Sequence, residues 1–544
     1  MKIEGNLIDI FKKEIYPAAI TINNNGIITS IDRIDKQLDI FISPGLIDAH
    51  VHIESSMLIP SEFAKLAVKC GTVATVSDPH EIANVIGKNG VEFMINNGKQ
   101  TPLKFHFCAP SCVPATGFET SGASLSAQDI DSLFEKQPIV ALGEMMNFPG
   151  VIYNMPEVIE KLNIARKWQK PIDGHIPGIS GDELRKYISE GISTDHECFS
   201  LDEAIAKINL GMKIIIREGS SAKNFDALCP LIDTHPDMVM LCTDDSHPDD
   251  LINKGHIDKI IRMGLNKGLS IFNLLAASSL NTIQHYGLNV GCLRVGDNAD
   301  FIVMDNIDTF HVTETYINGK PVYSSGRILF NTPKAVAVNN FAINTPISSN
   351  DIVVNAVVES SIRIIDATDG SLLTGTLIEK PLIANNKVVS DISRDILKIV
   401  VLNRYSEISP SVGFIHGFSL KQGAIASTVA HDSHNIISIG VSDSDICDAI
   451  NELIAHKGGI TCNDGNKNFY TIPLPFAGLM SDESGDKLAL QYGIMNHAVK
   501  ELGCNLTSPY MTLSFMALLV IPSLKIGDKG LFDISAYSFQ DLFV

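Results

Sequence analysis

Six side chains that can bind metal ions lie at the ends of five strand-like segments in the first half of the sequence. In chain order they are His50 and His52 in GLIDAHVHI, Glu144 in IVALGEMM, His175 in PIDGHIP, His196 in ISTDHE and Asp244 in MVMLCTDD. Imidazole and carboxylate groups are typical ligands of zinc, manganese and iron ions in sites without thiolates. One such residue by itself would more often be a hydrogen-bonded core residue, but the six together predict a metal centre.

The first of these segments carries a polar residue at every second position. Asp48, His50, His52 and Glu54 alternate with the apolar residues of PGLIDAHVHIESSM. Residues two apart on a β-strand point to the same face of the strand. We therefore expect these four side chains to share one face, which is poorly suited to hydrophobic packing and well suited to binding a cation.

The elements around these residues predict the α/β class and, within it, a TIM-type barrel. Strand-like apolar runs alternate with helical patterns eight times between about residue 44 and residue 290. Such alternation is typical of a (β/α)8 barrel, in which parallel strands are surrounded by helices. Enzymes of this fold build their active sites from the loops that follow the strands. The predicted fold therefore places the six candidate ligands where a barrel enzyme carries its chemistry.

The segments on both sides of the barrel show a different pattern. Short strands with turns occupy residues 1–43, and strand alternation returns over residues 299–330, where Asn318 and Gly319 give a hairpin signal. We expect these segments to form one small β-sandwich domain that is split in sequence, with the barrel at residues 44–298. After a linker near residues 331–350, residues 345–544 predict a C-terminal α+β domain.

Composition and charge argue against several classes of function. The net charge of -20 opposes binding to nucleic-acid phosphates or to an anionic membrane surface. The longest apolar run, at residues 511–522, is shorter than the about 20 residues that a membrane-spanning helix needs. The N-terminus has no signal-peptide pattern, and the ten cysteines are scattered. We therefore expect a cytoplasmic protein with reduced thiols that binds neither nucleic acid nor a membrane.

Several longer motifs resemble one family of enzymes. PGLIDAHVHIESS is similar to the opening motif of the amidohydrolase superfamily, whose members are metal-dependent hydrolases on a (β/α)8 barrel. Other motifs resemble the adenine deaminase branch of that superfamily: GTVATVSDPHEIANV, APSCVPATGFETSGA, LGEMMNFPGV, LCTDDSHPDDL and VAHDSHN. These motifs extend from the barrel into the C-terminal domain, so the resemblance covers nearly the whole chain.

The resemblance implies an adenine aminohydrolase, a metal-dependent hydrolase that acts on a C–N bond of a cyclic amidine. It implies two divalent cations, expected to be Mn²⁺, with Fe²⁺ or Zn²⁺ as alternatives. His50, His52 and Asp244 would bind one cation, His175 and His196 the other, and Glu144 would bridge them. A metal-bound hydroxide would attack C6 of adenine, and Asp244 would transfer its proton. Hypoxanthine and ammonia would be released in purine salvage, and the family implies a homodimer.

Seven further residues are candidates for binding the substrate: Asp78, His80, Ser111, Glu218, Asp245, His431 and His434. Several of them have an ordinary structural alternative. Asp78 would otherwise cap a helix, Ser111 would form a turn, and the motif HDSHN at residues 431–435 would be a polar turn after a strand. On an ideal strand, Arg217 is expected to point away from the site, and Cys198 is expected only to pack.

Three other functions stay open at this point. A cyclic-amide hydrolase of the same superfamily would cleave a C–N bond in a ring, but many such relatives bridge their metals with a carbamylated lysine where this chain has Glu144. A purine nucleoside deaminase is an option because the motifs do not tell whether a ribose would fit. A metal-free scaffold relative would have lost ligands, whereas all six positions are filled here.

Overall fold

The computed structural model describes residues 1–220 and 222–544. The described chain divides into two compact units. Unit 1 consists of Met1–Pro79, Val91–Ser111 and Ser126–Ala335, and unit 2 consists of His80–Gly90, Cys112–Leu125 and Val336–Val544. Two short segments from the first half of the sequence therefore belong to the unit that contains the C-terminal part of the chain.

The strands of unit 1 fall into a small sheet and a barrel. In chain order they are β1 (Lys2–Asp9), β2 (Glu14–Ile22), β3 (Ile28–Arg33), β4 (Phe41–Pro44), β5 (Leu46–Val51), β6 (Thr72–Ser77), β7 (Lys104–Ala109), β8 (Ile139–Met145), β9 (Ile172–Gly174), β10 (Thr194–Asp195), β11 (Lys213–Arg217), β12 (Val239–Cys242), β13 (Phe301–Asn306), β14 (His311–Ile317), β15 (Lys320–Ser324) and β16 (Arg327–Ile328).

Most helices are short. In chain order they are α1 (Pro60–Lys69), α2 (His80–Ile86), α3 (Lys88–Gly98), α4 (Ala127–Lys136), α5 (Phe148–Ile152), α6 (Pro156–Lys167), α7 (Gly181–Ser189), α8 (Leu201–Asn209), α9 (Phe225–Leu228), α10 (Leu231–Thr234), α11 (Pro248–Asn253), α12 (Ile257–Asn266), α13 (Ile271–Ala277), α14 (Leu280–Tyr286), α15 (Asp443–His456), α16 (Gly485–Glu501) and α17 (Pro509–Phe515). Short 3-10 helices cover Ile53–Ser56, Pro236–Met238, Ser349–Ile352 and Ile392–Arg394.

Strands β5 to β12 form the barrel. β5 to β9 make one parallel sheet in that order, and β10 to β12 make a second one. Parallel bridges between Ile172 and Ile192 and between Val51 and Asp244 join the two sheets on both sides. The strands are buried because helices cover them: Ile214 and Ile216 of β11 share one core with Phe225 of α9. This closed arrangement confirms the predicted (β/α)8 barrel.

The segments that flank the barrel form one mixed sheet, in the order β16-β15-β14-β13-β4-β1-β2-β3. The antiparallel pairing of β13 with β4, which places Phe301 opposite Pro44, joins the chain after the barrel to the chain before it. Apolar side chains such as Leu7, Ile20 and Tyr316 form the core of this sheet, and Phe301 stacks on Tyr316 with ring centroids 4.5 Å apart.

Unit 2 contains a second mixed sheet and the longest helices of the described residues. Its strands are β17 (Ile362–Ala367), β18 (Thr374–Glu379), β19 (Leu382–Ala384), β20 (Lys387–Val389), β21 (Leu397–Leu402), β22 (Ser411–His416), β23 (Ala424–Ser427), β24 (Ile436–Gly440), β25 (Gly459–Asn463), β26 (Phe469–Pro473), β27 (Leu524–Gly527), β28 (Gly530–Asp533) and β29 (Ser538–Gln540). The main sheet has the order β18-β17-β22-β21-β24-β23-β25-β26. Helix α15 packs on it through Ile446, Ile450 and Leu453. This unit provides the predicted α+β fold after the barrel.

Two further features bear on the expectations from sequence. Over residues 1–220 and 222–544, no helix is both long enough and apolar enough to cross a membrane. Residues 329–348, which include most of the expected linker, have no regular secondary structure.

Candidate active site

The six predicted ligands come together in unit 1 at the carboxyl ends of the barrel strands. His50 lies in β5 and His52 directly after it, Glu144 lies near the end of β8, His175 follows β9, His196 follows β10, and Asp244 lies two residues after β12. All six side chains are buried. Their ligand atoms form overlapping groups in which every atom lies within 4.8 Å of the others. The barrel therefore positions these residues around one small volume.

Glu144 lies between two separate pairs of imidazole rings. Its Oε1 is 3.2 Å from His52 Nε2 and 3.8 Å from His50 Nε2. Its Oε2 is 2.7 Å from His175 Nδ1 and 3.3 Å from His196 Nε2. The two oxygens of one carboxylate thus face different histidine pairs, which is the arrangement that a bridging ligand between two cations requires.

Asp244 completes the group around His50 and His52. Its Oδ1 lies 3.2 Å from His52 Nε2 and 3.5 Å from His50 Nε2. The backbone fixes this position, because the Asp244 N–H donates to the His50 carbonyl at 3.0 Å and the His52 N–H donates to the Asp244 carbonyl at 3.2 Å. Asp244 has a φ of 56°, in the left-handed region that non-glycine residues rarely adopt. The structure holds a strained backbone at this residue, as is common at functional sites.

The donor set fits a divalent metal ion. His52 Nδ1 lies 3.0 Å from the Asp78 carbonyl oxygen, to which it can only donate, so the lone pair of the neutral ring is on Nε2. That Nε2 lies 3.1 Å from His50 Nε2 and faces the carboxylates of Glu144 and Asp244. A ring nitrogen oriented by a carbonyl on its far side is the usual environment of a histidine metal ligand. Converging lone pairs and carboxylates of this kind are stabilised by a bound cation.

Asp78 and Ser111 hold the strand end that carries Glu144. The Asp78 carboxylate accepts a hydrogen bond of 2.9 Å from the Glu144 backbone N–H, and the Ser111 hydroxyl donates to the Glu144 carbonyl at 2.5 Å. Gly143 is necessary for this approach, because a Cβ atom there would lie 2.1 Å from Asp78 Oδ2. Lys161 Nζ in turn donates to the Ser111 carbonyl at 3.0 Å. In this structure both candidate substrate residues orient the bridging ligand.

Arg217 points towards the metal ligands, and the expectation that it would point away was wrong. Its Nη1 donates to Asp244 Oδ2 at 2.6 Å. The physical reason lies in the strand: Ile214 and Ile216 pack outward against the helices, so Arg217 is on the inward face of β11.

The candidate substrate residue Glu218 directly follows Arg217. One of its carboxylate oxygens lies 3.7 Å from Lys223 Nζ, and burial raises the pKa of the carboxyl.

Neighbouring imidazoles and a guanidinium keep the two central carboxylates ionised. Burial by itself raises the pKa of the Glu144 carboxyl, but the imidazoles of His196, His175 and His52 hold it well below its usual range. Burial likewise raises the pKa of Asp244, and the guanidinium of Arg217 is the largest of the influences that hold it well below its usual range. Both groups are therefore present as the anions that bind cations.

The strand end below the ligands is held by a separate buried network. Asp48 Oδ2 lies 2.9 Å from His256 Nε2 and accepts a hydrogen bond from the Thr243 hydroxyl. Its Oδ1 accepts the Thr243 backbone N–H at 3.1 Å. Thr72 Oγ1 lies 2.7 Å from His256 Nδ1. Asp48 therefore ties β5 to the segment that carries Asp244.

The alternation expected for residues 48–54 ends earlier than predicted. Strand β5 stops at Val51, and Ile53–Ser56 form a 3-10 helix that contains Glu54. Glu54 therefore does not continue the face of His50, and this part of the prediction was wrong.

Cys198 packs as expected, since its buried Sγ lies 3.1 Å from Asp195 Oδ2.

Asp245 lies at the rim of the ligand group. A carboxylate oxygen of Asp245 lies within 4.8 Å of the ligand atoms of His52 and Asp244. Its Oδ1 accepts a hydrogen bond from the Ser55 hydroxyl, and the Ser220 N–H donates to its carbonyl at 2.8 Å. The loop after β12 thus places a second carboxylate beside the predicted ligands.

The remaining candidates, His80, His431 and His434, lie in unit 2 around Glu81. Glu81 Oε1 is 2.5 Å from His431 Nδ1 and 3.4 Å from His80 Nε2, and its Oε2 contacts His434 Nε2. His434 Nδ1 accepts the Ala430 N–H at 3.2 Å, and burial lowers the pKa of this ring to about 4. The ring is therefore neutral, and Glu81, His431 and His434 form a further buried group whose ligand atoms lie within 4.8 Å of one another.

Sequence reasoning missed two acidic residues at these places. Glu197 directly follows His196 in TDHE, and Arg217 pairs with it at 2.5 Å, so the acidic neighbour of a predicted ligand was a usable signal. Glu81 follows His80 in DPHEIANV, but its partners lie about 350 residues later in the chain. Nothing local in the sequence indicates that pairing.

Comparison with known proteins shows the family to which the chain is similar. The chain matches the Amidohydrolase family over residues 41–322 and the Adenine deaminase C-terminal domain over residues 371–538. It is 52% identical to the adenine deaminase of Methanosarcina mazei, over 100% of this chain and 99% of that protein. It is 49% identical to the adenine deaminase of Borreliella burgdorferi, over 99% of each chain. A solved β-aspartyl dipeptidase from Fervidobacterium islandicum AW-1 covers 61% of this chain and 97% of its own, with 13% identity and a TM-score of 0.46.

Proposed function

The chain belongs to the adenine deaminase family of amidohydrolases, and from this membership we propose that its barrel site hydrolyses adenine to hypoxanthine and ammonia. The observation that carries the proposal is the position of Glu144, whose two carboxylate oxygens face two different histidine pairs. The family relationship and the glutamate at this position do not favour a cyclic-amide hydrolase. The filled ligand set does not favour a metal-free scaffold.

The six ligands would hold two divalent cations. His50, His52 and Asp244 would bind the first, His175 and His196 the second, and Glu144 would bridge them. Two such cations lower the pKa of a bound water and polarise the substrate, so that a nucleophile is available near neutral pH. We propose Mn²⁺ as the resident metal because the family resemblance favours it; the imidazole and carboxylate ligands, without a thiolate, suit Mn²⁺, Fe²⁺ and Zn²⁺ alike.

Proton transfer is assigned to Asp244. Its Oδ2 accepts a hydrogen bond from Arg217, and its Oδ1 faces His50 and His52. In the balanced reaction a C–O bond forms at C6 of adenine, the C6–N bond breaks, and the attacking water supplies the protons that the ring nitrogen and the departing ammonia need. Asp244 would receive the first of these protons and pass it on.

We also propose which residues contact the purine ring. Asp245 presents a carboxylate beside the ligand group and is proposed to accept a hydrogen bond from adenine. Glu218, His80, His431 and His434 are retained as proposed substrate contacts. Asp78 and Ser111 support Glu144 and are proposed to act on the substrate only through it.

The test is ammonia release from a panel of adenine, adenosine, cytosine and guanine, with ring opening of dihydroorotate followed in parallel and Mn²⁺ added. We expect ammonia and hypoxanthine in equal amounts from adenine. The same protein treated with a chelator is the control. Ring opening of dihydroorotate without ammonia from adenine would overturn the proposal.

Several broader properties belong to the same proposal. We propose that the enzyme works in purine salvage, in the cytoplasm and as a homodimer. We also propose a functional division into a barrel at residues 44–298, a β domain from residues 1–43 and 299–330, and a C-terminal domain at residues 345–544. Size-exclusion chromatography with light scattering tests the dimer directly.

A further inference from the structure

A buried guanidinium lies between two carboxylates at the edge of the candidate metal centre. Arg217 is 3% exposed. Its Nη1 donates to Asp244 Oδ2 at 2.6 Å and to Glu197 Oε1 at 2.5 Å, and its Nη2 donates to Glu197 Oε2 at 2.8 Å. The planar fork therefore binds both oxygens of Glu197 and the outer oxygen of Asp244 at the same time.

The two carboxylates belong to different halves of the centre. Asp244 Oδ1 faces His50 and His52. Glu197 Oε1 lies 3.5 Å from His196 Nε2 and 3.6 Å from His175 Nδ1. Arg217 is thus the residue that connects the ligand after β12 with the side where the second histidine pair lies.

The backbone of Arg217 is tied to the same side. Its N–H donates to Asn224 Oδ1 at 2.8 Å, and Asn224 Nδ2 donates to the carbonyls of His196 and Cys198 at 3.0 and 3.1 Å. Main chain and side chain of Arg217 therefore fix its place relative to His196. This double attachment allows the guanidinium to hold Asp244 at a set distance from the second histidine pair.

We propose that Arg217 is a positioning residue that holds Asp244 with Oδ1 turned towards His50 and His52, and thereby sets the spacing of the two metal positions. The inference rests on the proposed two-metal function. Arg217 and Glu197 together add no net charge, so the pair does not adjust the total charge of the centre. Its contribution is geometric, and a lysine, which lacks the planar fork, cannot reproduce the three hydrogen bonds.

The experiment compares the wild-type protein with Arg217→Met, Arg217→Lys and the double variant Arg217→Met with Glu197→Gln. Each is prepared with Mn²⁺, and its manganese content per chain, thermal unfolding midpoint, kcat and KM for adenine are measured. Arg185→Met is the matched control, because Arg185 forms an exposed ion pair with Asp182. The double variant distinguishes two roles of Arg217, that of a counter-charge and that of a positioning residue. It removes the Glu197 carboxylate together with the guanidinium, so the net charge of the pair stays at zero.

We expect both single variants to contain less manganese per chain than the wild type. Their kcat should fall by about 10- to 100-fold, the range for residues that orient metal ligands. KM for adenine and the control variant should change little. The double variant should remain impaired, because Asp244 still lacks its partner. Recovery of manganese and kcat in the double variant would show that Arg217 is only a counter-charge and would overturn the inference.

Wild-type manganese content and kcat in Arg217→Met would overturn the inference as well. If that variant does not fold, Arg217→Lys decides: full manganese and kcat contradict the inference, and their loss at an unchanged unfolding midpoint supports it. The proposed function fails separately, if the wild-type protein binds manganese but releases no ammonia from adenine. In that case the manganese content of the variants still tests the role of Arg217.

Discussion

The Asp78 carboxylate accepts a hydrogen bond of 2.9 Å from the backbone N–H of Glu144, the residue whose two oxygens face two histidine pairs. The Asp78 carbonyl oxygen also lies 3.0 Å from His52 Nδ1. One residue at the end of β6 therefore orients two predicted metal ligands from β8 and β5. The orientation of the metal ligands therefore depends on residues that are not predicted to bind metal themselves.

The first prediction concerns Asp78. Asp78→Ala removes the acceptor for the Glu144 N–H and should lower kcat for adenine by about 10- to 100-fold. Asp78→Asn keeps a carbonyl oxygen at this position and should retain most of the activity. Steady-state kinetics and manganese analysis of the two variants check this. Equal losses in both would show that the charge of Asp78 matters rather than its hydrogen bond.

The second prediction concerns Glu144. Glu144→Gln replaces one of the two bridging oxygens by an NH2 group. This nitrogen has no lone pair available for a cation, so only one bridging atom remains. We expect the manganese content to fall from about two ions per chain to about one or fewer, and the turnover of adenine to fall more than about 100-fold. Glu160→Gln, at an exposed position of α6, is the matched control. Two retained ions in Glu144→Gln would contradict the bridging role.

The third prediction uses two glycines. A Cβ at Gly143 would lie 2.1 Å from Asp78 Oδ2, whereas a Cβ at Gly493 in α16 meets nothing within 4 Å. Gly143→Ala should destabilise the protein by about 1 to 3 kcal/mol and reduce activity, because Asp78 must move. Gly493→Ala should stabilise α16 by about 0.5 to 1 kcal/mol. Chemical denaturation of both variants measures the difference, and equal effects would argue against the close packing at Gly143.

The fourth prediction concerns pH and Lys525 in unit 2. Burial lowers the pKa of this amine to about 7, and its Nζ donates to the carbonyls of Leu372 and Phe515 at 2.7 and 3.0 Å. Above pH 7 the unfolded chain binds a proton here that the folded chain does not, so this residue makes stability rise from about pH 7 to about pH 10.

Lys525→Met should remove that rise, while Lys500→Met, at an exposed site, should leave it in place. Unfolding midpoints measured from about pH 6 to about pH 9.5 provide the comparison. The same pH dependence in wild type and Lys525→Met would contradict a neutral buried amine.

The barrel and its ligands could be predicted because their signals are local. The HxH pattern of His50 and His52 lies within one strand, and each other ligand stands at the end of its own apolar run. The strand alternation failed at Glu54, where the chain turns into a 3-10 helix that the residue types do not announce. It failed at Arg217 because the inward face of β11 is set by how Ile214 and Ile216 pack against helices.

The surroundings of the ligands depend on contacts between distant parts of the chain. Asp48 binds Thr243 and His256, about 200 residues later, and Glu81 binds His431 and His434, about 350 residues later. A single sequence contains no signal for such pairs. The same applies to Arg217, whose three hydrogen bonds join strand ends that only the closed barrel brings together.

The most direct test of the central claim is anomalous diffraction from crystals grown with Mn²⁺. We predict two manganese peaks, one next to His50, His52 and Asp244 and one next to His175 and His196, with one oxygen of Glu144 directed at each. A single peak, or two peaks that Glu144 does not join, would contradict this account.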